Sequence, residues 1–245
     1  FQTQQHVRTL CGFEEGIQTI DWSGKKFPGG GVALNVLAAD VNARRATATV
    51  ADLNISMNDI GVDGAKALGD VISGSSLKCL IIGPKGTRLP VNDAEVTELN
   101  FEGQEFSPVE VTLVAAATST LAALKSLTVD STGVPAQYWP GDFVDGTGPK
   151  TYTLTAGEET VDLSSKNLGP ADVNLLTAWV AATPAGAALT SISCLMNPIG
   201  EEGLATLVAA VKDSSVRSIC GLTDGQDTAD FSGMGLKPFD LKILK

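Results

Sequence analysis

From Asp52 the chain is apolar at Leu53, Ile55 and Ile60, then at Leu68 and Ile72, then at Leu80 and Ile82. Leu53 with Ile55 and Leu80 with Ile82 alternate with period two, as in a half-buried strand, and Leu68 with Ile72 falls at helical spacing. The pattern predicts a strand, a turn, a helix over residues 61–72 and a second strand. Such a unit cannot bury its own apolar face, so it must stack on copies of itself.

Copies are present. A constant offset of 139 residues superposes Leu53 on Ile192, Ile55 on Cys194, Asn58 on Asn197, Gly61 on Gly200 and Leu68 on Leu207 without a gap. A second offset, of 209 residues, matches "CGFEEGIQTIDWSGKKF" from Cys11 with "CGLTDGQDTADFSGMGL" from Cys220. Weaker copies are "FEGQEFSPVEV" and "LSSKNLGPADV", in which Pro108 and Pro170 suit a first helical turn, as does Pro238 later. An acid two residues after each proline faces the positive end of the helix dipole. With Ile55 as reference, equivalents fall at Trp22, Ile82, Phe101, Val129, Leu163, Cys194, Gly221 and Phe231. The steps from Ile82 to Phe101 and from Gly221 to Phe231 are too short for a crossover helix and predict loops or hairpins.

"VADLNISMNDIGVDGAKAL" and "LTSISCLMNPIGEEGLATL" resemble leucine-rich repeats of the ribonuclease-inhibitor type, in which Leu-x-x-Leu-x-Leu-x-x-Asn leads into a helix. Asn58 and Asn197 keep the asparagine, whereas Lys25, Gln104, Thr132, Lys166 and Met234 stand at its other positions, which argues against a continuous asparagine ladder. Spacing and resemblance together imply an α/β leucine-rich-repeat solenoid, curved, with parallel strands on its concave face and helices on its convex face. Residues 1–245 would form one such unit, interrupted by an insertion at residues 131–159. Because the second offset leaves Lys245 inside a repeat, the expectation is a segment of a longer protein.

Composition narrows the chemistry. The formal charge of -11 disfavours nucleic acid, whose affinity rests on Lys and Arg displacing counterions. No apolar run approaches the length of a membrane span. The four cysteines sit in strand-like runs without a CxxC pair, which favours reduced thiols and an intracellular setting, a disulfide being the alternative. His6 is the single histidine, no nucleophile is paired with a positioned base, and no metal-ligand or cofactor motif is recognisable. The chain reads as a non-enzymatic scaffold or linker subunit that binds other proteins. The alternative is a regulator, since solenoids similar to this one include inhibitors, sensor arms and activators of Ran-type GTPases.

Two surfaces are candidates for such binding. The concave face would carry Asn54, Ser56, Asn100, Glu102, Thr128, Asp130, Asp162 and Ser164, an acidic and polar row suited to a basic partner surface, or else simply solvated. The insertion carries Tyr138, Trp139, Phe143 and Tyr152, four of the thirteen aromatic residues. Tyr and Trp are favoured interface anchors, and local packing of the insertion is the competing reading. Trp179 is expected in the core.

Overall fold

The 139-residue offset survives in three dimensions. In the computed structural model, which describes residues 9–26, 31–43, 49–133, 148–182 and 186–244, strand β2 and helix α2 span Asp52–Asn54 and Gly61–Ile72, and their copies span Ser191–Ser193 and Gly200–Val211. In both copies a methionine in the left-handed region (Met57, φ 58°; Met196, φ 60°) and then a glycine (Gly61, φ 64°; Gly200, φ 70°) turn the chain from strand to helix. The side-chain hydrogen bonds repeat as well. Asn58 Nδ2 donates to the carbonyls of Trp22 (2.7 Å), Ile55 (3.0 Å) and Ser56 (3.1 Å), and Asn197 Nδ2 donates to those of Leu163 (2.8 Å), Cys194 (3.0 Å) and Leu195 (3.2 Å). At the helix exits, Ser75 and Ser214 donate to Ile72 O and Val211 O, while Ser76 and Ser215 donate to Val50 O and Leu189 O.

The full order is β1 (Thr19–Asp21), α1 (Val32–Ala43), β2, α2, β3 (Cys79–Ile82), β4 (Thr87–Pro90), β5 (Glu98–Asn100), α3 (Pro108–Thr118), β6 (Ser126–Asp130), β7 (Thr151–Thr155), β8 (Thr160–Asp162), α4 (Pro170–Ala182), a 3-10 turn (Gly186–Ala188), β9 (Ser191–Ser193), α5 (Gly200–Val211) and α6 (Asp240–Ile243). Pro108 and Pro170 open α3 and α4 as expected, and α3 carries a capping box in which Ser107 and Glu110 bond reciprocally. Pro238 lies two residues ahead of α6.

The expected single curved solenoid is not what forms. The described strands make three small sheets, ordered β1-β2-β3-β4, β5-β6-β7 and β8-β9. Pairing is parallel from β1 to β3, between β5 and β6, and between β8 and β9, but β4 and β7 return antiparallel and end their sheets. The cause is visible in the short steps. Residues 83–86 allow only a tight return after β3, and the chain leaving β6 comes back along it as β7, so each antiparallel strand occupies the edge that the next parallel strand would need. The result is a mixed α/β fold in which consecutive helices from α1 to α5 pack on one another behind interrupted sheets.

What unites the sheets is their inward row. Ile20, Leu53, Leu80 and Leu89 stand in register across the first sheet, and Leu99, Leu127 and Leu154 across the second, all 6% exposed or less. Each buried leucine contributes about 1.5–3 kcal/mol relative to exposure. α3 is buried nearly all round, as a helix with neighbours on both flanks must be. Trp179 joins the core at 2% exposure.

Candidate functional site

Strand ends place most of the polar candidates, and they do so with one device. Asp21, Asn54, Asn100, Asp162 and Asp230 each accept, through Oδ1, the backbone N–H two residues on, from Ser23, Ser56, Glu102, Ser164 and Ser232, at 2.8–3.1 Å. These are Asx turns, in which the side chain substitutes for a backbone acceptor, and all but Asp230 stand at the last residue of a strand. Bonding to Ser23 and Ser232 holds the exposed Asp21 and Asp230 carboxyls below the usual aspartate value, so both stay ionised. The device was legible as a repeated Asx-apolar-Ser/Glu triplet (Asp21-Trp22-Ser23, Asn54-Ile55-Ser56, Asn100-Phe101-Glu102, Asp162-Leu163-Ser164, Asp230-Phe231-Ser232).

The structure therefore divides the expected row. Ser56 is buried at 1% exposure, with its hydroxyl on Asn54 Oδ1 (2.8 Å), and does not face a partner. Asn54 and Ser164 are half-buried, while Asn100, Glu102 and Asp162 are exposed. Thr128 and Thr153 join hydroxyls across β6 and β7 at 2.9 Å. Asp130 is half-buried and ties two elements, accepting from Gly103 N (2.7 Å) and Thr151 Oγ1 (2.6 Å).

Of the insertion's aromatics, Tyr138, Trp139 and Phe143 lie outside the described residues. Tyr152 lies on β7 and is 3% exposed, a core residue rather than a surface anchor. Its hydroxyl donates to Asp172 Oδ1 (2.9 Å), and Asp172 Oδ2 accepts from Thr132 N, Thr132 Oγ1 and Gly169 N, each at 2.8 Å. One carboxyl thus joins the end of β6, strand β7 and the start of α4. Burial raises the Asp172 pKa above its ordinary value, and burial beside Asp172 drives the Tyr152 hydroxyl well up. Neighbouring bonds complete the clamp: Ser131 and Lys150 exchange backbone and hydroxyl bonds, and Lys150 Nζ reaches Ser165 O (2.7 Å). Asp172 signals its role only as an acid two residues after a proline. The same spacing puts Glu110 on Ser107 N (2.8 Å) and Asp240 on Lys237 N (2.7 Å).

Reactive chemistry has little to work with among the described residues. No group of three His, Cys, Asp or Glu could hold a metal. The four thiols are free. Burial pushes the Cys194 thiol up to about 12, and burial together with Asp40 does the same for Cys11. Alkylation of the folded chain at about pH 8 accordingly leaves both unmodified, and denaturant makes both react. Rapid labelling of either in the native state would contradict this environment. Among the described residues no helix is long and apolar enough to cross a membrane. No protein-family model matches the chain, and comparison with curated proteins returned no match.

Proposed function

We propose that the protein is a non-enzymatic interaction module, a scaffold or linker subunit that docks another protein on the polar outer face of the second sheet and the segment rooted there. The observation that carries this reading is the clamp around Asp172. It ties the described residues on either side of positions 134–147, Thr132 and Lys150 to Tyr152, to α4 and β6. A contact segment held at its root loses less entropy on binding than a free one. On the second sheet Asn100 stands in register with Thr128, and Thr128 with Thr153, with Asn100 and the neighbouring Glu102 exposed. The net charge of -11 suits a partner with a basic surface. The resemblance of the two duplicated units to leucine-rich repeats supports the same role.

The test replaces residues 134–147 by a short Gly-Ser linker and compares partners captured from native cells by mass spectrometry. Loss of one stoichiometric partner, with an unchanged circular dichroism spectrum, is the expected result, and the parental complex should weaken as salt rises. An unchanged partner list would remove the segment from the docking surface.

A further inference from the structure

The two strands that turn back, β4 and β7, end their sheets with different edges. Val91 N donates to Lys78 O, so alternation along the ladder of β3 and β4 turns the backbone of Arg88 and Pro90 outward. A charge, and a proline without an N–H, protect an edge from a further strand. β7 has neither. Ser131 N donates to Lys150 O and Ala156 N to Lys125 O, which turns the N–H and C=O groups of Thr151, Thr153 and Thr155 away from β6. Among the described residues no backbone group pairs with that edge. Beyond it β8 is open as well, since Glu159 O accepts from Ser191 N and Leu163 N donates to Ser193 O, leaving Thr160 and Asp162 to present their backbone away from β9. The two edges are joined at one end by residues 156–159 and at the other by Lys150 Nζ on Ser165 O (2.7 Å) and Lys166 Nζ on Thr151 O (3.4 Å). Between these ties nearly all Cα atoms of β7 lie more than 8 Å from those of β8, well past the roughly 4.8 Å between neighbouring strands.

We propose that this slot takes an extended segment of a partner protein, which adds a strand to the edge of β7 and carries Lys or Arg at alternate positions. The inference rests on the docking role proposed above and names the form of the partner. Rows of N–H and C=O groups at strand spacing select an extended polypeptide, because that backbone offers the complementary rows. Side chains alternate across such a segment. Its inward positions fall among the buried Tyr152, Leu154 and Leu163, so they take small residues. Its outward positions fall beside the exposed Glu158, Glu159 and Asp162, so they take cations. The opposing charges, Lys150 and Lys166, stand at the far end with their ammonium groups on carbonyls, which assigns the basic residues to the half nearer residues 156–159.

Two synthetic peptide pools of about six residues test it, one alternating Lys or Arg with Gly, Ala or Ser, the other of the same composition with its basic residues in one block. Titrated into the intact chain, the alternating pool is expected to bind at about 10–100 μM, about tenfold or more tighter than the block pool, and to slow hydrogen exchange at the Thr153 and Thr155 amides. Thr153→Pro removes an N–H that no ladder bond uses, so the circular dichroism spectrum should hold while binding weakens about tenfold or more. Thr153→Val keeps that N–H and should bind like the parent. Methylating alternate backbone nitrogens of the peptide removes the pairing from the other side and should abolish binding to the parent chain. Equal binding of the two pools, no binding up to about 1 mM, or undiminished binding of the methylated peptide would overturn the proposal, as would a folded Thr153→Pro variant that binds like the parent. If neither pool binds while replacement of residues 134–147 still costs the native partner, the docking role stands and the added strand falls. Pool binding with an unchanged native partner list gives the reverse.

Discussion

Asp172→Ala lowers the unfolding free energy by about 3–5 kcal/mol, the cost of deleting one member of a buried, hydrogen-bonded polar set. Asp172 is 1% exposed, and its removal strands Thr132 N, Gly169 N and the Tyr152 hydroxyl where water cannot replace it. Asp172→Asn keeps an oxygen for the two backbone donors and offers Tyr152 an N–H, so it should cost less than about half as much. Urea titration of both variants measures the difference, and equal losses would mean that the carboxyl fills space rather than organising the junction. The pH dependence adds a second readout. Because burial outweighs the hydrogen bonds, the folded-state pKa lies above the ordinary 3.8. The folded chain then holds the proton more tightly than the unfolded chain does. The Asp172 contribution to stability falls as pH rises from about the ordinary value through the raised one, and Asp172→Asn removes that slope.

The duplication makes a second large effect measurable against an internal control. Asn197→Ala should cost about 2–4 kcal/mol, because Asn197 is 5% exposed and its loss strands the carbonyls of Leu163, Cys194 and Leu195 together with Leu168 N. Asn58→Ala removes the same set of bonds at a half-buried position, where water re-enters, and should cost about 1 kcal/mol. Equal costs in urea denaturation would show that burial does not set the price of this asparagine.

The contrast between local and long-range legibility follows from those same residues. Periodicity from Leu53 to Ile72 carried the bounds of α2 and, through the offset, those of α5, because strand, turn and helix are written in consecutive residues. Sheet continuity is not written that way. It depends on whether the chain leaving Ile82 or Asp130 turns back or crosses over, and β4 and β7 turned back. The short step after Ile82 announced the first of these hairpins. Nothing in the alternation at Val129 announced the second. Side-chain role was harder still. Period two placed Asn54, Ser56 and Asp162 on an outer face, while the proximity of a backbone N–H two residues on folded the side chains of Asn54 and Asp162 back onto the ends of their own strands. Tyr152 was legible as an aromatic near an insertion, but its partner Asp172 is 20 residues away.

Two helices built on one pattern in one chain raise a problem of sorting during assembly, since α2 and α5 could each compete for the place of the other. The packing of α2 on α3 settles it on one side, because a Cβ on Gly69 would lie 2.9 Å from Ala116 Cβ, and the matching residue of α5 is Val208. Beside α3 there is no room for even a Cβ at that position, so a helix carrying Val208 there is refused. Glycine where α5 has valine is what lets α2 lie against α3.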